Sequence, residues 1–259
     1  MVGKARRAEA ARGSGSNSQT EPLGVALTWL QARYHLHTFC YRDPRSAFSS
    51  ALGLPVVSPT AVLLGIASTL FSIGKSNEAL AFNWVAEHCQ VVVDSPDGAV
   101  FFRAFHQLRR YISPTKGKTH RAGFTDMNQG TKEYALVDGT LTLFVGVPSV
   151  VVDTVKLALR NRDHLGTHDS LCALLGDVEE CAEPTNVIYL PPECWQTRPP
   201  KDPEVTIVTL SRFKRDRHVR PAVGDHWWMA GGDDTERVAF MIKGHFLGTT
   251  RGRIYRKCP

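Results

Sequence analysis

The stretch from Leu54 to Gly74, LPVVSPTAVLLGIASTLFSIG, decides how the first half of the chain folds. Ser58 suits a helix N-cap, and Pro59 fits the first helical turn, where its missing N–H is not needed. The apolar residues that follow recur at helical spacing and predict a core-facing stripe: Val62, Leu63, Ile66, Leu70, Phe71 and Ile73. The free backbone N–H groups at such a helix start are able to hold a phosphate. A capped, buried helix explains the same residues, so both interpretations stay open.

The composition of the 259 residues is that of an ordinary globular protein, with 42% hydrophobic and 22% charged residues. No apolar run is long enough to cross a bilayer, which predicts no membrane contact. Residues 1–23 are basic and then rich in Gly and Ser, without the apolar core of a secretion signal, so we expect a disordered arm and a cytoplasmic protein. The net charge of +6 favours an anionic partner, nucleic acid first.

Strand patterns surround the central helix. Residues 24–39 mix aromatic and apolar residues with polar ones, as in a half-buried strand, and Arg42 and Arg45 flank the turn that follows. These two arginines fit either a solvated loop or phosphate contacts. Residues 77–89 predict a second helical piece, and residues 90–108 predict two strands around a Ser-Pro-Asp-Gly turn. Residues 133–147 predict strand structure around an Asp-Gly turn or bulge, and residues 148–166 predict another helix.

A basic insertion interrupts this pattern between Arg103 and Lys132. It contains seven Lys or Arg residues against the single acid Asp126, a net charge of +6 over thirty residues. The centre of the insertion, residues 113–130, has almost no apolar periodicity, so we expect it to project as a long hairpin or loop. Such a loop suits phosphate neutralisation and base stacking, although a solvated loop is the alternative. Residues 163–183, by contrast, carry six acids and no Lys or Arg, which fits a solvated face or a basic protein neighbour.

Together these patterns predict an α+β chain with a ferredoxin-like or RRM-like domain, βαββαβ, over residues 24–183. The inserted basic thumb lies at about 109–132. Beyond Pro184, short β-like runs between Pro- and Gly-rich breaks predict a small, separate β-rich subdomain over residues 184–259. Sheet faces and inserted loops of such domains are common RNA-binding surfaces, but the aromatic signature of the RRM is absent.

Catalytic motifs are scarce. The chain has no Walker A, dinucleotide-binding, H-E-x-x-H or G-x-S-x-G pattern, and its six cysteines form no C-x-x-C pair, so we expect reduced thiols and neither a metal nor a cofactor. Metal-independent RNA cleavage needs a base, an acid and a cation, which Lys118 and His120 of the basic insertion could supply together with Tyr111 or Tyr134 near its base. RNA-binding or solvated roles explain these residues better, because lone His residues are more often structural.

Four segments carry a family resemblance: YHLHTF at the end of the first strand, LPVVSPTAVLLG at the helix start, TKEYALVDGTLTLFV before the second helix, and HLGTHDSLCALL. They resemble the fifth Cas family of CRISPR systems, RAMP-superfamily subunits of the Cascade surveillance complex. The resemblance spans residues 25–183. The glycine-rich loop of related RNA-processing proteins is only hinted at by GHFLGTTRGRIY, whose glycines are too regularly spaced, and this disfavours an enzyme.

The resemblance implies that the chain grips the 5′ handle of the CRISPR RNA and caps the filament of backbone subunits in antiviral defence. The helix start would correspond to Ser58, Pro59 and Thr60, and the thumb to about Arg109–Lys132. Some family members also cut precursor RNA with Tyr, Lys and His, which makes Tyr111, Lys118 and His120 the candidates for cleavage. The implied partners are the CRISPR RNA handle and the Cascade backbone and large subunits, with target DNA left open.

The sequence therefore predicts a non-catalytic CRISPR RNA-binding subunit. Contacts to the RNA backbone are predicted from ten residues: Arg42, Arg45, Ser58, Thr60, Arg109, Arg110, Lys116, Lys118, Arg121 and Lys132. Two alternatives stay open. One is a metal-independent endoribonuclease that processes precursor RNA, and the other is a protein-interaction subunit whose basic surfaces meet acidic neighbours without touching RNA.

Overall fold

A computed structural model of the chain describes residues 26–43, 52–109, 127–184, 204–214, 235–249 and 252–258, with only the backbone described for 106–109 and 127–130. Over these ranges the protein is α+β, as predicted. Its helices are α1 (Pro59–Ser72), α2 (Ser76–Val85) and α3 (Val152–Arg160). Its strands are β1 (Leu27–Leu36), β2 (Gln90–Asp94), β3 (Gly98–Arg109), β4 (Met127–Asp138), β5 (Leu141–Pro148), β6 (Cys172–Leu174), β7 (Glu179–Cys181), β8 (Val205–Phe213), β9 (Thr235–Lys243), β10 (His245–Gly248) and β11 (Arg253–Arg256).

The first sheet has the strand order β2-β5-β1-β6, with β7 also paired to β1, and its neighbouring strands are antiparallel. Alternate residues of its two central strands are fully buried in the core with α1 and α3: Leu30, Ala32 and Tyr34 of β1, and Leu141, Leu143 and Val145 of β5. Along the chain, the elements from β1 to β6 occur in the order β1, α1, α2, β2, β3, β4, β5, α3 and β6.

Helix α1 has the ends that its sequence predicts. The Ser58 hydroxyl accepts a hydrogen bond from the Ala61 N–H at 3.2 Å, and Pro59 occupies the first turn. At the other end Gly74 adopts φ = 77°, and the Lys75 N–H donates to the Leu70 carbonyl at 2.8 Å, which closes a Schellman motif. The predicted stripe is buried at Val62, Leu63, Ile66 and Leu70, whereas Ile73 is 37% exposed because it lies at the C-cap, beyond the last helical turn.

The second sheet has the strand order β10-β11-β3-β4. Strands β3 and β4 form one antiparallel ribbon of twelve residue pairs, from Gly98 opposite Asp138 to Arg109 opposite Met127. Strand β4 thus begins inside the segment predicted to project as a long hairpin or loop. Pairing with β3 stabilises this segment as a strand although its own side chains are mostly polar.

The C-terminal region is β-rich, but it is not separate from the first domain. Strand β11 pairs with β3, and β8 of the two-stranded β8–β9 sheet packs against α1. Apolar side chains from β8, β9 and β11 join the same hydrophobic core: Val208, Leu210, Phe240, Ile242 and Tyr255. The segments on the two sides of the predicted domain boundary at residue 184 therefore share one hydrophobic core. No helix in the described part of the chain has the length and hydrophobicity that a membrane span requires.

Candidate nucleic-acid interface

The β3–β4 ribbon leaves the body of the protein near Arg103. On its body-facing side Ala99 and Phe101 are buried, whereas Arg103 is exposed and Phe105 is 64% exposed. These four residues share one face of the strand, because side chains alternate along it. The loss of burial after Phe101 shows that the ribbon projects beyond the core. Six residue pairs continue past this point, about 20 Å of strand, so both ends of the basic insertion, Arg103 and Lys132, lie within the ribbon.

Most of the predicted thumb residues lie at or beyond the end of the ribbon. Arg109 forms the last residue pair of β3 and is described by its backbone alone. The remaining predicted thumb and catalytic residues lie outside the described residues, as does Arg45: Arg110, Tyr111, Lys116, Lys118, His120 and Arg121. Lys132 is therefore the one thumb residue among the predicted RNA contacts whose side-chain position is described.

Lys132 and Tyr134 of β4 share one acidic partner. The Lys132 Nζ lies 2.6 Å from the Oδ2 of Asp169, and the Tyr134 hydroxyl donates to the same oxygen at 3.2 Å. Asp169 belongs to the acidic stretch, so this stretch contacts the basic ribbon within the chain itself. The ion pair is partly exposed on both sides, and such pairs contribute little to stability, so a phosphate group can compete for Lys132.

Tyr134 is poorly suited to act as a general base. Desolvation, reinforced by the negative charge of Asp169, raises the pKa of Tyr134 to about 12. A phenol with this pKa stays protonated at neutral pH, whereas a base that activates a ribose hydroxyl should have a pKa near the working pH. Tyr134 therefore suits contact and positioning rather than proton abstraction.

An aromatic pair lies at the base of the ribbon, on the face that carries Lys132 and opposite to the face that carries Phe101. Phe102 of β3 stands directly across from Tyr134 of β4, and their rings are nearly parallel, with centroids 6.0 Å apart and an interplanar angle of 24°. Phe102 is 38% exposed. Sequence reasoning named Tyr134 as a catalytic candidate but missed Phe102, because an aromatic residue in a strand suggests core. The available signal was that β3 carries large apolar residues on both faces, which one buried face does not require.

Arg42 lies at the base of the loop between β1 and α1 and is exposed, as predicted. Its backbone bridges to Gly53, and the Asp43 N–H donates to the Leu52 carbonyl at 2.7 Å. The Gly53 N–H donates to Oε2 of Glu133 at 2.6 Å, which attaches this loop base to β4. The structure therefore brings the predicted Arg42 segment next to the strand that carries Lys132.

Arg253 of β11 completes this attachment. Its guanidinium forms an ion pair with the buried Glu133 carboxylate and donates to the Gly53 carbonyl at 2.7 Å. The same guanidinium lies over the rings of Phe101 and Phe246, at 5.0 and 4.8 Å from their centroids. A C-terminal strand thus fixes the base of both predicted RNA-binding segments, a role that local sequence patterns did not reveal.

Ser58 and Thr60 are buried and do not form the open phosphate site that the sequence suggested. Besides capping α1, the Ser58 hydroxyl accepts a hydrogen bond from the Tyr41 hydroxyl at 2.6 Å and one from Ser211 of β8 at 3.1 Å. These two side chains cover the helix start. The direct RNA contacts predicted for Ser58 and Thr60 are corrected accordingly, because neither side chain reaches the surface, and Ser58 joins α1 to β8 instead.

Gly65, a residue of the motif that carries the family resemblance, has a packing role. The guanidinium of the buried Arg162 lies against it and donates to the carbonyls of Val62 and Ala61, at 3.1 and 3.3 Å. A Cβ atom on Gly65 would lie 1.8 Å from Arg162 Nη2. Burial lowers the pKa of Arg162, since desolvation disfavours its charge. This cation is therefore structural and is not available to RNA.

Comparisons with known proteins give structural similarities alone. No protein-family model matches the chain, and no curated protein does. One chain of a solved CRISPR RNA-guided surveillance complex is 15% identical with a TM-score of 0.40, and the alignment covers 89% of this chain and 91% of that one. A CRISPR protein from Archaeoglobus fulgidus is 9% identical with a TM-score of 0.36, over 90% of this chain and 92% of that one. Because both TM-scores lie below 0.5, we base no conclusion on these similarities.

The described residues offer no alternative metal centre. Among them, no group of three or more His, Cys, Asp and Glu side chains is arranged to hold a metal ion. His164 lies 2.6 Å from Asp163 through its Nδ1 and beside the ring of His168, but these residues sit in the connection between α3 and β6. What the structure assembles is a projecting basic ribbon, an arginine loop fixed at its base and an aromatic pair beside them.

Proposed function

We propose that the chain is a CRISPR RNA-binding subunit of a surveillance complex, which grips the 5′ handle of the RNA without cutting it and caps the backbone filament. The observation that carries this proposal is the β3–β4 ribbon, which projects beyond the core and contains both ends of the basic insertion, Arg103 and Lys132. A basic segment on a regular ribbon can track an RNA backbone while the body contacts other subunits. The family resemblance of residues 25–183 supplies the identity of the RNA.

The charge distribution supports contacts to the RNA backbone. The basic insertion, residues 103–132, carries a net charge equal to that of the whole chain, +6. Arg42 lies on the loop attached to the base of the same ribbon through Gly53 and Glu133. Phosphate contacts from both segments would hold single-stranded RNA along the ribbon and across its base. Arg42, Lys132 and the thumb arginines and lysines are the residues we assign to this role.

The proposal is tested with purified full-length protein, a 5′-labelled CRISPR repeat RNA and EDTA, with retention and cleavage scored in the same gel. We expect tight binding without cleavage. A single cut that disappears in His120→Ala would overturn the non-catalytic proposal in favour of the processing nuclease. Absence of both binding and cleavage would overturn it in favour of the protein-interaction subunit.

The salt dependence of binding locates the RNA on the protein. Removal of one phosphate-binding cation should lower the slope of log affinity against log salt by about 0.7–0.9, so the Arg109→Ala, Arg110→Ala double variant should lower it by about 1.5 units. Lys75→Ala combined with Arg160→Ala removes the same charge from exposed positions away from the ribbon and should leave the slope unchanged. Equal slopes for wild type and the ribbon variant would place the RNA elsewhere.

A further inference from the structure

We propose that Phe102 and Tyr134 form a stacking surface for unpaired nucleobases at the base of the β3–β4 ribbon. This inference rests on the proposed function and adds a second kind of contact to it. The phosphate contacts of the thumb hold the RNA backbone, whereas these two rings would hold its bases. Both rings lie on the outer face of the ribbon, the face that also carries Val100 and Leu136, and the two rings alone form the proposed surface.

The geometry of the outer face suits stacking. Phe102 and Tyr134 form a directly opposed residue pair, and their rings lie nearly parallel, at 24° and 6.0 Å between centroids. The pair therefore presents two adjacent rings in similar orientation rather than two rings at random angles. Phe102 is among the large hydrophobic residues that the fold leaves exposed, at 38%. An exposed apolar surface on a folded chain commonly marks a binding site.

Tyr134 is held in place by its polar end. Its hydroxyl donates to the carboxylate of Asp169, so the ring is fixed at both its backbone and its tip. A ring fixed in this way loses little conformational freedom when a base stacks on it. Its raised pKa keeps the hydroxyl protonated, which preserves this hydrogen bond at neutral pH. Phe102 has no comparable constraint and completes the surface with a purely apolar ring.

Charge next to the rings favours a nucleic acid as the occupant. Lys132, the last residue of the basic insertion, precedes Tyr134 by two residues and so lies on the same face of β4. A base stacked on Phe102 and Tyr134 would bring its phosphate towards Lys132, where it competes with Asp169. Stacking is tolerant of base identity, which fits a surface that offers rings and one cation rather than an array of hydrogen-bond donors.

A row of aliphatic residues crosses the same sheet on the side away from the insertion, and it bounds the stacking surface. Val100 is paired with Leu136 on one side and with Ile254 on the other, and Ile254 is paired with Leu247. Aliphatic side chains give no ring for stacking, so this row is suited to a protein surface. The aromatic pair lies between this row and the basic insertion, and stacking is proposed for the aromatic pair alone.

The test measures affinity by fluorescence anisotropy for a single-stranded CRISPR repeat RNA and for an abasic chain of the same length. Phe102→Leu removes the ring but keeps an apolar side chain, and we expect it to weaken binding to the normal RNA about 5- to 100-fold. The salt slope should not change, because the substitution removes no charge. On the abasic chain, wild type and Phe102→Leu should bind equally. Tyr134→Leu tests the second ring, and Phe102→Trp should restore affinity.

Leu136→Ala is the matched control, since it alters the same face next to the rings without removing an aromatic group. We expect it to leave RNA affinity within twofold of wild type. Wild-type affinity in Phe102→Leu and Tyr134→Leu, while the Arg109, Arg110 variant still lowers the salt slope, would overturn stacking and leave RNA binding intact. An equal decrease in affinity in Leu136→Ala would also overturn it and indicate a protein-like apolar contact. A wild-type protein that binds no RNA at any salt concentration would overturn both proposals.

Discussion

The two larger sheets use their alternating strands in different ways. In the first sheet, helices α1 and α3 complete a core in which alternate residues of β1 and β5 are fully buried. In the second sheet, Phe101 faces the body and is buried, while Val100 and Phe102 on the other face are exposed. The first sheet thus supplies the core on which the fold depends, and the second displays apolar and aromatic groups at its surface. Substitutions should therefore affect stability in the first region and binding in the second.

Alkaline pH should have the largest effect, and two thiols in the first region contribute to it. Burial raises the pKa of Cys89 and of Cys172 from 9.0 to about 12. Both stay protonated in the native protein but ionise in the unfolded chain, so their contribution to stability is complete below about pH 9 and is lost as pH rises towards 12. For each thiol, a pKa difference of one unit between the native and the unfolded state contributes about 1.4 kcal/mol to the free energy of unfolding.

Urea unfolding followed by far-UV circular dichroism under reducing conditions measures this effect. We expect a free energy of unfolding that changes little up to about pH 8.5 and then falls by several kcal/mol towards about pH 11. Buried tyrosines with raised pKa values, such as Tyr255 at about 12, add to the fall in the same range. A free energy that stayed constant to pH 11 would show that these groups ionise as easily in the native protein as in the unfolded chain.

Gly65→Ala should destabilise the first region strongly. The new Cβ would lie 1.8 Å from Arg162 Nη2, so the guanidinium must leave the two α1 carbonyls to which it donates. A buried cation without its partners costs about 3–5 kcal/mol. Thermal and urea unfolding measure the change. Gly248→Ala on β10 is the control, because a Cβ there meets no atom within 4 Å, and it should shift stability by less than about 0.5 kcal/mol.

Glu133→Gln should destabilise the protein less than Gly65→Ala, because it weakens one attachment, the one that joins β4 to Arg253 and to the Gly53 loop. The substitution removes the negative charge that faces Arg253 but keeps an oxygen for the Gly53 N–H. Because Arg253 is partly exposed, we expect a decrease of about 2–3 kcal/mol in the free energy of unfolding by urea. Glu236→Gln breaks the more exposed pair with Arg212 on β8 and β9 and should cost under about 1 kcal/mol. Equal decreases in both variants would show that burial of Glu133 contributes nothing.

The first region follows largely from its sequence, whereas the surroundings of the ribbon do not. The Ser58 cap and the apolar stripe of α1 are local patterns, and both are present in the structure. The pairing of β11 with β3 joins residues about 150 positions apart, and local propensity does not choose between distant edges. A charged run such as Asn161–His164 suggests a solvated surface, yet Arg162 is buried. Its guanidinium lies against Gly65, almost a hundred residues earlier, and local sequence does not reveal this contact.

The candidate site shows the same division. The sequence predicts a basic projecting segment from charge count and missing periodicity, and the ribbon that carries it is observed up to Arg109 and Met127. The predicted phosphate site at the helix start was wrong, because the residues that cover Ser58 are Tyr41 and the distant Ser211. Phe102 escaped notice because hydrophobicity predicts burial, and its exposure depends on where the ribbon leaves the core.

Lys132→Met should change stability least among these variants and still weaken RNA binding. It therefore tests directly whether the first region determines stability and the second determines RNA binding. Its pair with Asp169 is partly exposed, so its removal should change the free energy of unfolding by less than about 1 kcal/mol. If Lys132 exchanges Asp169 for an RNA phosphate, the salt slope of RNA binding should fall by about 0.7–0.9. Lys75→Met removes the same charge from the connection between α1 and α2 and should leave the slope unchanged.

A destabilisation as large as that of Gly65→Ala would contradict the division, because Lys132 would then stabilise the fold rather than bind RNA. An unchanged salt slope with unchanged stability would instead leave Lys132 as a solvated residue and restrict the phosphate contacts to Arg42 and the residues beyond Arg109.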